Sequence, residues 1–347
     1  MSSTTTSRVD VIVVGAGPAG AAAAILLAGA GLRVILCERN TERRASPAES
    51  LHPGCETLLE RLGVGEEFRR AGWPRYPGIR VAGRLDRFGQ DEHGPWLGFH
   101  IARDRFDDML EARAVALGVE VRRGVTVRGP RLEAGRVTGV TLDEGELAAR
   151  WVIDATGRQH WSERHLALRR ESYSAPLVAW RGEVAGGPVD EDGAARFEPH
   201  GQGWLWTARL GPEASSWTVL APLGEPPPAL PAPFDQLPPL LPRRGMDVSW
   251  RAMRPLVKPG CILAGDAAAV FDPAAGQGVF FALYSGLTAG EAVLACLARP
   301  HLEPLYLATY DDWAMRQVEY KVRGLRELYR TMGITIARIP PAGLKSI

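Results

Sequence analysis

The sequence predicts an α/β protein in which a parallel sheet carries an inserted antiparallel sheet and a C-terminal helical tail. Three observations support this fold class. A strand–helix–strand pattern occupies the chain from Val9 to Cys37, short alternating strands between Gly and Pro turns run from Leu177 to Leu220, and a helical pattern extends from Leu305 to Arg330. Domains usually span ~100–200 residues, so 347 residues suffice for two interleaved units.

The strand–helix–strand pattern is the clearest local signal. Val9 to Val14 is apolar and β-branched, Ala19 to Ala28 consists of strong helix formers, and Leu32 to Cys37 is again strand-like. Strands joined by such a crossover pair in parallel, and the crossover is nearly always right-handed. The segment therefore predicts a βαβ unit.

The middle of the chain predicts a helix and a small β-meander. Apolar spacing from Arg103 to Leu117 indicates an amphipathic helix that Gly118 ends. The short strands predicted after it are Val119 to Val121, Val125 to Val127, Arg136 to Leu142 and Trp151 to Ile153.

From residue 177 onward, apolar and polar residues alternate in short segments between Gly and Pro turns, which predicts a separate antiparallel sheet. Its expected strands are Leu177 to Val184, Ala194 to Glu198, Trp204 to Leu210 and Ser216 to Leu220. Nine prolines between Pro222 and Pro242 favour an extended surface crossing, and strand character returns at Cys261 to Ala264. The predicted domains are residues 1–82, 100–166 and 255–304 for the parallel sheet, 83–99 and 167–254 for the antiparallel sheet, and 305–347 for the tail.

Composition excludes several classes of partner. The 41 basic and 40 acidic side chains nearly balance, which gives no reason to expect nucleic acid binding. The four cysteines form no CxxC pair, and no histidine or cysteine spacing indicates a metal site. The start of the chain lacks a signal-peptide pattern, and glycines interrupt the longest apolar stretch, so neither secretion nor membrane insertion is expected. These features predict a soluble cytoplasmic protein.

The turn after the first strand carries a dinucleotide-binding motif. Gly15, Gly17 and Gly20 match G-x-G-x-x-G between strand and helix, which gives a tight turn, room for a pyrophosphate and close helix packing. Phosphates would lie at the helix N-terminus, and Glu38 stands where an acidic side chain accepts hydrogen bonds from a ribose. Ala19 and Arg39 complete this set of candidate cofactor-binding residues. The motif predicts a Rossmann-like domain but does not separate FAD from NAD.

A second motif narrows the cofactor. Ala264-Gly265-Asp266-Ala267-Ala268 follows a strand, and Phe271-Asp272-Pro273 leads through Gly276-Gln277-Gly278 into a helical pattern. These residues resemble the family of FAD-dependent aromatic monooxygenases, halogenases and geranylgeranyl-type reductases. The resemblance implies bound FAD, with Asp266 at the ribityl chain and the amides near Gly276, Gln277 and Gly278 stabilising negative charge on the reduced flavin. A helix N-terminus suits that charge.

Weaker matches extend the resemblance over most of the chain. Arg103-Asp104-Arg105-Phe106-Asp107 resembles the family's R-x-x-[FL]-D helix start, which implies that Arg103 lies near the FAD phosphates. Glu49-Ser50-Leu51-His52-Pro53 is similar to the halogenase G-E-S-L-x-P segment, so His52 is an acid–base candidate, with Pro273 as a second catalytic candidate.

The halogenase branch needs a lysine a few dozen residues after the G-E-S-L segment and a W-x-W-x-I-P motif. The three lysines of this chain are Lys258, Lys321 and Lys345, and none lies in that interval. Trp204-Leu205-Trp206 occurs, but Thr207 and Ala208 follow it. Halogenation is therefore disfavoured, and the segment from Phe271 to Gly286 most resembles flavoproteins that hydroxylate tryptophan during maturation of tryptophylquinone cofactors.

The functional hypothesis is an FAD-dependent monooxygenase that hydroxylates an electron-rich aromatic through a flavin hydroperoxide. The substrate is an aromatic small molecule, peptide or protein, and NAD(P)H or a separate flavin reductase supplies electrons. The candidate pocket residues are Trp180, Arg181, Trp204, Trp206 and Trp217. Strand alternation places Trp204 and Trp206 on the same face. A geranylgeranyl-type reductase, a halogenase-like enzyme and a non-catalytic flavin-binding maturation partner remain alternatives.

Overall fold

The computed structural model describes residues 9–335 except 44, 82, 93, 160, 189–192 and 227. Lys345 and the outer ends of the first and last predicted domains lie outside the described residues.

The described residues form seven α-helices and 23 strands. The helices are α1 (Pro18–Gly29), α2 (Cys55–Arg61), α3 (Gly65–Arg70), α4 (Arg103–Ala116), α5 (Trp161–His165), α6 (Gly278–Ala298) and α7 (Glu303–Thr331). The first strands are β1 (Val9–Val14), β2 (Val34–Glu38), β3 (Glu49–Leu51), β4 (Arg75–Tyr76), β5 (Gly78–Val81), β6 (Arg84–Arg87), β7 (Gln90–Asp91), β8 (Gly94–Pro95), β9 (Gly98–Ile101), β10 (Glu120–Arg123), β11 (Val127–Glu133) and β12 (Arg136–Leu142). The remaining strands are β13 (Gly145–Asp154), β14 (Arg169–Ser172), β15 (Leu177–Ala185), β16 (Ala195–His200), β17 (Gly203–Arg209), β18 (Ala214–Pro222), β19 (Pro239–Asp247), β20 (Arg251–Arg254), β21 (Val257–Lys258), β22 (Cys261–Leu263) and β23 (Ala269–Val270).

The first sheet has the strand order β10-β2-β1-β13-β12-β11, with β22 also pairing with β13. The strands β10, β2, β1, β13 and β22 run parallel, as the βαβ pattern predicts. The predicted meander is only partly correct. Because β13 spans ten residues, its beginning pairs antiparallel with β12 while its end, which contains Trp151 to Ile153, is parallel to β1 and β22.

Helices α1 and α6 cross closely on this sheet. A Cβ at Gly286 of α6 would overlap the backbone of Ala19 in α1, and Gly265 also approaches Ala19. Small residues on both helices therefore bring the start of α6 next to the glycine-rich turn. By length and composition α6 is apolar enough to cross a membrane, but 67% of the apolar window is buried inside the protein. Such burial is typical of a core helix.

The second sheet has the order β19-β15-β18-β17-β16-β5-β6. The four strands predicted between residues 177 and 222 all occur in it, with ends shifted by a few residues. The described residues of the proline-rich segment before β19 form no α-helix, in agreement with the prediction of an extended crossing. From Pro239 the chain enters β19, which pairs with β15 as an edge strand, where Pro is tolerated. Residues 1–82 were assigned to the parallel-sheet domain, yet β5 pairs with β16, so this sheet begins at Gly78.

Helix α7 confirms the predicted C-terminal helix and packs along both sheets. Tyr310 donates a hydrogen bond to the Leu263 carbonyl beside the parallel sheet (2.6 Å). Tyr329, near the other end of α7, packs in the core of the antiparallel sheet with Trp204 and Trp250. The helix thus connects the two sheets beside the loop that precedes α6.

Candidate functional site

The glycine-rich turn between β1 and α1 is built for close backbone approach. Gly15 has φ +106°, and a Cβ there would overlap the carbonyl of Ala155. A Cβ at Gly20 would overlap the carbonyl of Gly15. Gly17, in contrast, faces open space, with no atom of the described residues within 4 Å of an added Cβ. The turn is therefore packed on the protein side and open on the other, as the pyrophosphate interpretation requires.

A cleft of about 210 Å³ lies beside this turn, and we call it the nucleotide cleft. Gly17, Glu38 and Arg103 line it, together with Arg43. Glu38 accepts hydrogen bonds from the backbone N–H groups of Ala16 (3.1 Å) and Asn40 (2.9 Å), which fixes the carboxylate at the end of β2. Glu38 and Arg103, both predicted to bind the cofactor, thus lie beside Gly17 in the same cleft.

Arg39, another residue of the predicted set, lies away from the cleft. Its side chain is exposed and does not line the nucleotide cleft. Successive side chains around a strand end point in opposite directions, so Glu38 faces the cleft and Arg39 faces solvent. Arg43 and Arg123, which the sequence did not single out, supply basic groups to the cleft instead.

A larger cavity of about 290 Å³ lies between the loop before α6 and one face of the antiparallel sheet. We call it the main cavity. It brings together most of the predicted site residues: His52, Arg181, Trp204, Trp206, Asp266, Pro273, Gly276, Gln277 and Gly278. The sheet side adds Ser216 and Thr218, and the β3–β4 region adds Glu49 and Tyr76. The cavity thus has an aromatic wall and a polar wall.

Two predicted pocket residues lie on the wrong face of the sheet. Trp180 and Trp217 pack in a separate apolar cluster with Leu205 and Phe234 and do not line the main cavity. Side chains alternate between the faces of a strand, so Arg181 and Trp180 cannot share a face. The same alternation in β18 directs Ser216 and Thr218 into the cavity and Trp217 away from it.

The polar wall is organised around Glu49. Its carboxylate pairs with Arg181 of β15 (3.0 Å) and with Arg103 of α4 (3.3 Å). Burial acts to raise the pKa of Glu49, but the charges of Arg181 and Arg103 outweigh it and hold this pKa below its usual value. Glu49 therefore stays ionised and links the main cavity to the nucleotide cleft. Next to it, Arg158 forms an ion pair with Asp266 (2.9 Å).

The aromatic wall is anchored by four buried residues that we call the Asp272 cluster: Asp272, Tyr329, Trp204 and Trp250. Asp272 Oδ2 accepts hydrogen bonds from the Tyr329 hydroxyl (2.5 Å) and Trp250 Nε1 (3.2 Å). Trp204 Nε1 donates to the same hydroxyl (3.1 Å). Burial raises the pKa of Asp272 to about 6, although these donors oppose the rise. The cluster fixes the loop before α6 to the antiparallel sheet and α7.

His52 lies at the rim between the two walls. Its Nδ1 accepts a hydrogen bond from the Gly54 N–H (3.0 Å), and its ring packs edge-on against Phe88 and Phe280. Burial, with a contribution from the charge of Lys321, lowers the pKa of His52. The imidazole is therefore neutral at pH 7, which leaves Nε2 as the nitrogen available for an acid–base role.

These residues fit FAD. The open Gly17 and the fixed Glu38 carboxylate suit the adenosine diphosphate end in the nucleotide cleft, and Gly276 and Gly278 leave open space along the main cavity. Asp266 lies at the end of the parallel sheet between them. The redox ring of a bound FAD would then lie in the main cavity, where the aromatic wall faces it.

Comparisons with known proteins agree with this fit. Residues 8–188 match the model of an FAD binding domain. A 1H-pyrrole-2-carbonyl peptidyl-carrier-protein brominase from Pseudoalteromonas luteoviolacea is 26% identical over 88% of this chain and 82% of its own. A digeranylgeranylglycerophospholipid reductase from Methanopyrus kandleri is 28% identical over 87% of this chain and 81% of its own.

Solved structures show the same fold. A flavin-dependent brominase superposes with a TM-score of 0.78 at 22% identity, covering 95% of this chain and 94% of its own. A peptidyl tryptophan dihydroxylase essential for tryptophylquinone cofactor biogenesis superposes with a TM-score of 0.72 at 23% identity, covering 94% and 76%. The chain belongs to the family of the FAD-binding domain, and it is an FAD-dependent oxidoreductase of the monooxygenase and halogenase-like superfamily.

Proposed function

We propose that the protein uses FAD and O2 to modify an electron-rich aromatic ring held in the main cavity, and that the first candidate reaction is halogenation. The observation that carries the proposal is the cavity itself, which lies between the residues that fit the redox ring and a wall containing Trp204 and Trp206. Stacking and edge-on contacts with such a wall favour an aromatic substrate. Bound FAD supplies the oxidising chemistry, while the protein excludes water and orients the ring.

Halogenation comes first because the related brominase matches over most of both chains. This corrects the inference drawn from lysine spacing, which disfavoured halogenation and preferred hydroxylation. The brominase acts on a pyrrole carbonyl group attached to a peptidyl carrier protein. A pyrrole-type ring, free or attached to a carrier, is therefore the first substrate class to test.

Hydroxylation is the second candidate, and one observation favours it. Among the residues that line the main cavity in the described part of the chain, the cationic side chains are Arg158 and Arg181, and neither is a lysine. Both guanidinium groups are held in ion pairs with carboxylates. The cavity wall thus lacks the ammonium group that the resemblance associates with halogenation, whereas oxygen transfer to the ring has no such requirement.

Reduction of an isoprenoid double bond is less well supported. The related reductase matches with similar coverage, but the main cavity here carries Glu49, Arg158, Arg181, Asp266, Ser216 and Thr218. A long apolar chain would take these charged and hydroxyl groups out of water without offering them hydrogen bonds, at a cost in free energy.

Product analysis distinguishes the three reactions. The holoprotein is incubated aerobically with chemically reduced FAD, bromide and a pyrrole-2-carboxamide or indole, and the products are identified by mass spectrometry. Replacement of hydrogen by bromine supports halogenation, and gain of an oxygen atom supports hydroxylation. Gain of two hydrogens under anaerobic conditions, or no product from any aromatic, would refute the proposal.

The electron donor forms part of the proposal. NAD(P)H either reduces the bound FAD directly, or a separate flavin reductase in the cytoplasm supplies reduced FAD. Anaerobic stopped-flow mixing of the holoprotein with NADPH or NADH decides between them. Bleaching of the flavin absorbance at a catalytic rate supports direct reduction, and its persistence indicates the separate reductase.

A further inference from the structure

Lys321 of α7 is a buried ammonium group directly behind the wall of the main cavity. The residue is 7% exposed, and its Nζ donates a hydrogen bond to Gln277 Oε1 (2.5 Å), across 44 positions of sequence. The rings of Phe271 and Phe281 lie 5.6 and 5.9 Å from Nζ. Two of the three groups around this lysine belong to the segment from Phe271 to Gln277 that precedes α6.

Burial of Lys321 at this position lowers the stability of the fold. Among the described residues its hydrogen-bond partner is the uncharged Gln277 side chain, and burial of an unpaired charge is costly. Burial lowers the pKa of Lys321 to about 8. The titratable groups facing it are Cys55 of α2, whose pKa burial raises to about 12, and His52, whose pKa is lowered. Neither is charged at pH 8, so within the described part of the chain the ammonium has no local counter-charge.

A negative charge in the main cavity would provide that counter-charge. Gln277 immediately precedes the first residue of α6, and Gly276, Gln277 and Gly278 all line the main cavity. The N–H groups at the start of a 21-residue helix already carry a partial positive charge there. The Lys321 ammonium adds a full positive charge near the same helix start. The Gln277 side chain, which accepts its hydrogen bond, lies between the ammonium and the cavity.

We propose that Lys321 is a positioning residue for the cofactor: it fixes Gln277 at the start of α6 and places a positive charge that favours reduced, anionic FAD over oxidised FAD. The proposal rests on FAD binding and is independent of whether the product is halogenated or hydroxylated. It assigns Lys321 no contact with substrate. Its consequence is a reduction potential of bound FAD that depends on the charge of a residue outside the cavity.

Lys321→Met removes the charge and keeps an unbranched side chain of similar length. At pH 7 we expect the preference for reduced over oxidised FAD to fall at least about tenfold. For a two-electron couple this corresponds to a reduction potential about 30 mV more negative. Lys321→Arg retains the charge and should stay within about threefold of the wild type. Lys258→Met is the matched control, because Lys258 lies in β21 and does not line the main cavity. Bound FAD per chain is measured in every variant. An unchanged potential in FAD-loaded Lys321→Met would overturn the proposal.

The wild-type protein provides a second test if Lys321→Met fails to fold or to bind FAD. Because reduction places negative charge near Lys321, the pKa of the ammonium should be higher with reduced than with oxidised FAD. Between these two pKa values, just above pH ~8, reduction should then take up an additional fraction of a proton compared with reduction at pH 6, which makes the potential fall more steeply with pH over that interval. A plot of potential against pH with a single slope from pH 6 to 10 would overturn the proposal.

Discussion

Tyr329→Phe tests whether the Asp272 cluster holds the antiparallel sheet, α7 and the loop before α6 together. The substitution removes one hydroxyl and keeps the ring. Asp272 then loses its 2.5 Å donor, and Trp204 Nε1 loses its acceptor. A hydrogen bond to a charged group contributes ~1.5–3 kcal/mol, and a buried donor left without a partner costs ~1–3 kcal/mol. Since Trp250 still donates to Asp272, we expect a loss of about 3 kcal/mol in the free energy of unfolding at pH 8.

The pH dependence of this loss follows from the pKa of Asp272. An acid whose pKa is about 6 in the folded protein and 3.8 in the unfolded chain binds more protons when folded, so the free energy of unfolding falls as pH rises from about 4 to about 6. Tyr329→Phe removes a donor to the ionised carboxylate, raises the pKa of Asp272 further and extends that decline to higher pH. The variant should therefore lose less stability at pH 5 than at pH 8.

Urea unfolding of the FAD-saturated proteins at both pH values is the assay. Tyr320→Phe is the matched control, because Tyr320 lies on the same helix with 69% of its surface exposed, and its substitution should cost less than about 0.5 kcal/mol. A loss below about 1 kcal/mol for Tyr329→Phe at pH 8, or an equal loss at both pH values, would refute the assigned role of the cluster.

Three further predictions concern the cofactor turn, the far face of the sheet and His52. Gly15→Ala should abolish FAD retention, measured as flavin per chain after gel filtration, because its Cβ would overlap Ala155, whereas Gly29→Ala meets open space and should retain FAD. Trp217→Ala should lower the free energy of unfolding by ~3–5 kcal/mol while leaving the products per bound FAD unchanged; a change of product would contradict its placement away from the cavity. The imidazole of His52 should titrate below its usual pKa in NMR spectra of the folded protein, and the pKa should rise in Lys321→Met; a pKa above the usual value would contradict the buried environment.

The sequence singled out those candidate site residues whose local conformation depends on neighbouring residues in the chain. The glycine turn, Glu38, Asp266 and the start of α6 each depend on a few consecutive residues, because backbone conformation at a turn is decided by its own glycines and by the neighbouring strand and helix. Gly17 and Glu38 line the nucleotide cleft, and Asp266, Gly276 and Gly278 line the main cavity, while their cofactor contacts stay a prediction. The four strands of the antiparallel sheet were also found, since alternation and turns are local signals.

The sequence pattern alone does not tell which face of a strand lines the cavity. It also does not predict contacts between residues far apart in the chain. Both faces of β15 and β18 carry tryptophan or polar residues, so Trp180 and Trp217 looked equivalent to Trp206 until the packing partner was known. Lys321 and Tyr329 reach the loop before α6 from 44 and 57 positions away. The periodicity of α7 predicted a helix but not its neighbours, and a lysine search limited to one interval set Lys321 aside although the fold brings it close to the main cavity.

The central claim is that the main cavity is where FAD chemistry meets an aromatic substrate, and Trp206→Ala tests it most directly. Trp206 lines the cavity and lies outside the hydrogen bonds of the Asp272 cluster. The measurement is product formed per bound FAD during aerobic turnover of an aromatic substrate that the wild type modifies. We predict full FAD content and at least about a tenfold loss of product, which corresponds to ~1.4 kcal/mol of lost interaction. Wild-type product yield from FAD-loaded Trp206→Ala would contradict the claim.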